Sequence, residues 1–262
     1  MNDWFRRNVS AASPIIGSLM LALLVASCSR GDGATPRDAH GDTAMEEGSL
    51  ATGAAVRNGA SPRTDETRPP AGRGATVLFI GTSLTAGYGL DDPSDAFPAV
   101  VGRMLDSAGI PAHVINLGVS GETSAGARAR IDWVLRNPAD VIVLETGAND
   151  GLRGLSVEAA RENIQAILDR IRAARPRARV LLVQMEAPPN LGARYTRQFH
   201  AMFPELAQKN HVELVPFLLE GVAGDPSLNQ ADGIHPNRAG ARIAARTVYR
   251  ALIRRPLVGT TD

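Results

Sequence analysis

A parallel α/β fold with helices on both faces of one sheet is predicted by two features of the chain. Five short, nearly continuous apolar runs lie between residues 76 and 217, and stretches of helical pattern separate them. The strand candidates are TVLFIG (76–81), HVINLG (113–118), DVIVLETG (140–147), RVLLVQME (179–186) and VELVPF (212–217). Runs this apolar are expected where both faces of a strand are covered. The helix candidates span about 94–109, 123–136, 156–174, 195–209 and 236–254. In the third, Ile164, Ile167, Leu168 and Ile171 form a one-sided apolar stripe.

Everything before residue 75 reads differently. Arg6 and Arg7 precede the apolar run IIGSLMLALLVAS, which ends at Cys28. The run has the length of a secretory signal and is short for a membrane span, which needs about 20 apolar residues. Val25, Ala26, Ser27 and Cys28 resemble the lipobox of bacterial lipoproteins, in which the cysteine receives a diacylglyceryl group and becomes the new N-terminus. Cys28 is the single cysteine of the 262 residues, so intrachain disulfides and thiolate metal sites are excluded. Residues 29–74, rich in Gly, Ala, Pro, Thr and mixed charge, lack the apolar surface needed to offset ordering entropy and read as a disordered tether. A coil of that length reaches about 40 Å. The expected organisation is a signal peptide at 1–27, a lipidated cysteine and tether at 28–74, a folded domain at 75–255 and a tail at 256–262. The expected location is the periplasm or cell exterior, on a membrane through Cys28.

Composition bounds the function. A net charge of +1, with arginines spread through helical stretches as solvated faces, argues against a nucleic-acid partner. The single lysine, Lys209, leaves no P-loop or Schiff-base lysine. The first strand enters GTSLTAGYGL, in which five residues separate Gly81 from Gly87, so neither a P-loop nor a dinucleotide fingerprint is present. The G-x-S-x-G elbow is missing too. Ser83 at this turn is a candidate nucleophile.

Function in an open parallel sheet collects beyond the carboxyl ends of the strands. Those ends read GTS, GVSGETS, GAND and EAPPN, and a fifth group, DGIHPN, precedes the last helix. Asp232 and His235 are three residues apart, a spacing that lets a carboxylate reach Nδ1 and leave Nε2 as a base. Pro236 suits the first turn of the following helix. His113, His200 and His211 have no such setting and read as structural. Gly121 offers a backbone N–H and Asn149 a side-chain amide for a developing oxyanion. Singly, Gly121 also fits a plain turn and Asn149 a helix cap. Ser120 is the one rival nucleophile in a similar loop.

Together, GTSLTAGYGL, NLGVSGETS, ETGANDGLRG and DGIHPNRAG resemble the four ordered blocks of the SGNH, or GDSL, hydrolase superfamily. The span from about 75 to 254 is similar to its thioesterase I, lysophospholipase and arylesterase branch. The resemblance implies a flavodoxin-like α/β/α sandwich. It also implies a Ser83–His235–Asp232 triad and an oxyanion hole made by the N–H groups of Ser83 and Gly121 with the Asn149 side chain. No metal or organic cofactor is expected. Thr82 departs from the family's usual Asp before the nucleophile and leaves the conformation of the turn open. The substrates implied are acyl or aryl esters, lysophospholipids or thioesters. A carbohydrate acetylesterase and a catalytically silent tethered binding protein are the alternatives. EAPPNLGARY (186–195) fits either a wall for an acyl group or a plain connecting loop.

Overall fold

The computed structural model describes residues 74–257; the signal segment, Cys28 and nearly all of the expected tether lie outside the described residues. Five strands form one wholly parallel sheet: β1 (Ala75–Gly81), β2 (Ala112–Gly118), β3 (Val141–Leu144), β4 (Arg179–Val183) and β5 (Glu213–Val215). Their spatial order is β2-β1-β3-β4-β5. The order reverses between β1 and β3, which makes that gap the topological switch point where ligands of open α/β sheets bind. The α/β class and five-strand count agree with the pattern of apolar runs.

Among the described residues seven α-helices accompany the strands, the last following β5: α1 (Ser83–Ala86), α2 (Phe97–Ser107), α3 (Ser124–Val134), α4 (Ala148–Leu152), α5 (Val157–Ala174), α6 (Ala193–Asn210) and α7 (Arg238–Leu252). Helices α2 and α7 pack together, while α5 packs against both α3 and α6, giving two helical groups. Side-chain caps at Thr123, Ser156 and Asn237 satisfy first-turn N–H groups of α3, α5 and α7. Pro204 interrupts the hydrogen-bond ladder of α6, but a stripe of Phe199, Met202, Phe203 and Leu206 is buried from the same helix. Each such side chain contributes about 1.5–3 kcal/mol, enough together to outweigh the proline.

Every residue of β1 is buried, as expected for a central strand. Strand β2 is only half-buried because it is an edge, so its apolar sequence overstates its cover. Strand β3 stops at Leu144, three residues before its apolar run ends. Glu145 turns its carboxyl toward Thr82, and Gly147 is left-handed at φ 88°. Pro236 lies before the N-cap of α7, not in its first turn, and pairs with Asn229 across an isolated bridge. EAPPNLGARY is shorter as a loop than expected, since Pro189–Leu191 is a 3-10 turn and Tyr195 is already in α6.

Several arginines are not on solvated faces. Arg179 on β4 forms a bidentate pair with Glu213 on β5 at 2.7 and 2.8 Å and donates to the Ala251 and Leu252 carbonyls at the end of α7. That hydrogen bond from Arg179 holds the Glu213 carboxyl below its usual range. The pair thus joins the sheet edge to the last helix. No helix among the described residues is long and apolar enough to cross a membrane.

Candidate active site

Strand β1 leads directly into the one-turn helix α1. Thr82, extended at its N-cap, accepts from the N–H of Leu84 at 3.4 Å, and Gly87 closes the turn in the left-handed region. Ser83 is the first helical residue and is buried. Its Oγ lies 2.8 Å from Nε2 of His235, although 152 residues separate the two. Nδ1 of His235 lies 2.6 Å from Oδ2 of Asp232. The other carboxylate oxygen, Oδ1, accepts from the N–H groups of Ile234 and His235 at 2.9 and 3.0 Å. Desolvation, the largest single influence, pushes the Asp232 pKa up, but the hydrogen bonds from the His235 ring and the two backbone N–H groups outweigh it and hold it at about 2. Asp232 is therefore an ionised acceptor near neutral pH. Nδ1 must carry the proton toward it, which leaves the Nε2 lone pair facing the Ser83 hydroxyl.

The loop carrying His235 is tied to the loop carrying Ser83. Gln230 donates its amide to the carbonyls of Tyr88 at 2.7 Å and Pro236 at 3.0 Å, and its N–H to the His235 carbonyl at 2.7 Å. The Tyr88 ring lies over the imidazole, with centroids 4.7 Å apart. A narrow, mostly apolar crevice opens beside Ser83 and His235, lined by Leu84, Tyr88, Leu90, Phe97 and Leu218. Around the same edge of the sheet, Tyr88, Val119, Leu152, Leu155 and Ile234 are large apolar side chains exposed to solvent.

Asn149 is hydrogen-bonded to the residue that follows Gly121. The Asn149 amide donates to the carbonyl of Glu122 at 2.9 Å and makes no helix cap; Gly147 occupies the N-cap of α4. The cap alternative for Asn149 is thereby removed. One Nδ2 hydrogen serves that bond and a second is left. Gly121 has φ 78°, a conformation that any Cβ would strain, and its carbonyl accepts from Arg153 at 3.0 Å. Neither the Ser83 N–H nor the Gly121 N–H has an acceptor among the described residues. The Val119 N–H bonds the Gly81 carbonyl at 2.8 Å, which brings the Gly121 loop against the end of β1.

Polar pairs, from fully buried to exposed, hold these loops. Asp150 accepts from the N–H and hydroxyl of Ser124 at 2.8 and 2.6 Å, joining the start of α3 to α4. Glu122 is gripped by Arg130 at 2.6 and 2.8 Å, and Arg130 also donates to the Leu117 carbonyl. Asn116 donates to the Thr85 carbonyl at 2.8 Å and accepts from the Gly118 N–H at 3.0 Å. Glu145, fully buried, accepts from Thr82 and Thr85. Sequence reasoning missed Glu122, Arg130, Asp150, Arg153, Glu145 and Gln230 as site residues. A legible signal existed for one of them, since Glu145 is a carboxylate placed inside an apolar strand run beside the GAND block.

His113 is exposed and His211 ends α6 in the left-handed region. His200 lies on the exposed side of α6, 2.6 Å from Glu186 and 2.8 Å from the Gln184 amide. Ser120 is exposed and has no imidazole partner among the described residues. Among the described residues no group of three or more His, Cys, Asp or Glu is placed to hold a metal ion.

Residues 79–243 match the model of the GDSL-like Lipase/Acylhydrolase family. Esterase TesA of Pseudomonas aeruginosa is 40% identical over 163 residues, covering 62% of this chain and 79% of that protein. Thioesterase 1/protease 1/lysophospholipase L1 of Escherichia coli K12 is 40% identical over 165 residues, covering 62% of this chain and 76% of that protein. The crystal structure of TesA superposes with a TM-score of 0.65 at 37% identity, over 70% of this chain and 99% of that one. The sheet order, the matched residues and these relatives agree, and the chain belongs to the GDSL-like lipase/acylhydrolase family, as an esterase of the SGNH type.

Proposed function

We propose that this esterase cleaves acyl esters by covalent catalysis at Ser83, and the observation that carries the reading is the unbroken chain from Asp232 through His235 to the Ser83 hydroxyl, at 2.6 and 2.8 Å. Ser83 Oγ attacks the acyl carbon while its proton passes to Nε2 of His235. The carbonyl oxygen takes the negative charge and meets the N–H groups of Ser83 and Gly121 and the second hydrogen of the Asn149 amide. Both backbone donors are free for it, which supports this role. Asp232, ionised, keeps the imidazole in the needed tautomer and stabilises the imidazolium. Collapse of the tetrahedral intermediate expels the alkoxide or thiolate, which takes the proton from Nε2. Water then attacks the acyl-enzyme and gives its proton to His235; the second tetrahedral intermediate collapses, Nε2 returns that proton to Ser83 Oγ, and the acid is released.

The exposed apolar rim of Tyr88, Val119, Leu152, Leu155 and Ile234 favours apolar acyl or aryl groups over sugars. Lysophospholipids, aryl esters and acyl thioesters are the substrate classes we assign. Cys28, outside the described residues, is proposed as the lipid attachment site of an exported bacterial lipoprotein. Such an anchor would set the domain on a membrane facing the periplasm or cell exterior, where lysophospholipids are at hand.

Ser83→Ala is expected to abolish hydrolysis of p-nitrophenyl esters, lysophospholipids and acyl-CoA while circular dichroism stays unchanged. Residual turnover, or fluorophosphonate labelling at Ser120, contradicts the assignment. Faster cleavage of acetylated xylan than of any lipid or aryl ester replaces the substrate class with carbohydrate acetates.

Asn149→Ala separates a structural tie from an oxyanion donor. Loss of the Glu122 bond alone costs about 1 kcal/mol of stability and leaves kcat per folded molecule unchanged. Loss of an oxyanion donor lowers kcat roughly 10²- to 10³-fold with little change in KM, and that is the outcome expected.

Cys28→Ser is expected to abolish lipid attachment and release the protein from the membrane fraction. The two or three acyl chains of a mature lipoprotein meet the roughly two lipid signals that stable anchoring takes. A mature protein recovered soluble, with unmodified Cys28, excludes the anchor.

A further inference from the structure

The side chain of Glu145 is fully buried at the end of β3, beneath the turn that carries Ser83. Its Oε2 accepts from the Thr82 N–H at 2.8 Å and the Thr85 hydroxyl at 2.9 Å. The Thr82 hydroxyl lies 3.0 Å from both carboxylate oxygens. The Glu145 N–H bonds the Ile80 carbonyl at 2.8 Å, so the backbone under the carboxyl is anchored to β1. Among the described residues no cation forms an ion pair with it. Burial raises its pKa, and the N–H and hydroxyl groups of Thr82 and Thr85 pull it partly back.

A carboxyl buried without a cation is costly, and an apolar side chain would fill the same space more favourably. What Glu145 adds is a grip on the residue before Ser83 and on the residue two after it. The fit is close: a Cβ at Gly81 would lie 2.6 Å from Oε2. The Thr82 hydroxyl donates to Glu145 with a proton of its own, whereas a carboxylate at that position would have to be protonated to do so.

We propose that Glu145 is a positioning residue for the nucleophile. Clamped to Thr82 and Thr85, it sets the orientation of both the Ser83 hydroxyl and the Ser83 N–H. The proposal rests on the reading of Ser83 as nucleophile and adds the group that aims it.

The test compares Glu145→Gln, Thr82→Val, Thr82→Ser and Ser83→Ala in p-nitrophenyl acetate hydrolysis, with kcat referred to the folded fraction from near-UV circular dichroism. Glutamine keeps the shape but presents an amide donor where two donors already point. Its kcat is expected to fall about 10- to 100-fold, the scale of a misplaced reacting group, with KM within about twofold. Thr82→Val, which keeps the N–H but loses the hydroxyl, is expected to lower kcat about fivefold. Thr82→Ser restores the hydroxyl and is expected to restore kcat. A folded Glu145→Gln protein with wild-type kcat overturns the proposal. If Glu145→Gln does not fold, the Thr82 pair decides: wild-type kcat in Thr82→Val, or equal loss in Thr82→Ser, overturns it. Ser83→Ala keeps the two readings apart, because turnover surviving that change removes the nucleophile itself. An inactive Ser83→Ala beside full-rate Glu145→Gln removes only the clamp.

Discussion

The 2.8 Å contact between Ser83 Oγ and His235 Nε2 joins the end of the first strand to the loop before the last helix. No local preference of the chain could make it. It exists because a wholly parallel sheet delivers every strand's carboxyl end to one edge, and because α2 and α7 pack together and return the chain to β1. The buried apolar core therefore acts at a distance: it fixes the sheet and helices, and they fix a hydrogen bond between residues 152 positions apart. Loops at that edge then need only short-range ties to complete the site.

Those ties are mostly carboxylates, and the same side chain serves opposite ends according to its setting. Asp232, at the surface with three donors around it, is held at a pKa of about 2 and stays charged beside the imidazole. Glu145, sealed under the nucleophile turn, has its pKa raised by burial. Asp150 and Glu122 stitch the Gly121 loop to α4 and α3. Both polar and charged groups are thus concentrated beneath a rim of exposed apolar side chains. That arrangement suits an ester whose carbonyl needs polarity and whose acyl or aryl part needs the opposite.

Much of this was legible in the sequence. Apolar runs with helical spacers announce a parallel sheet, and the order of the blocks at their ends places Ser83, Gly121, Asn149, Asp232 and His235 on one edge, where the structure brings them. The three-residue spacing of Asp232 and His235 is a local property, so their contact could be anticipated. The ties were not legible, because Ser124 with Asp150, Gln230 with Tyr88 and Glu145 with Thr82 are 26, 142 and 63 residues apart. Periodicity carries no information about such pairs. The extent of β3 differs from its apolar run for a related reason: the strand ends at Leu144, and the next side chain, Glu145, meets Thr82 and Thr85 in the turn after β1. The edge position of β2 and the half-buried arginines follow from topology, which the local pattern does not contain.

The central claim is that Ser83 forms the covalent intermediate while three donors receive the oxyanion. It is tested most directly by a crystal structure of the protein after reaction with diethyl p-nitrophenyl phosphate. The account predicts phosphorus bonded to Ser83 Oγ, with one phosphoryl oxygen within hydrogen-bond distance of the Ser83 N–H, the Gly121 N–H and Asn149 Nδ2. An adduct on any other residue, or a phosphoryl oxygen turned away from all three donors, would contradict it.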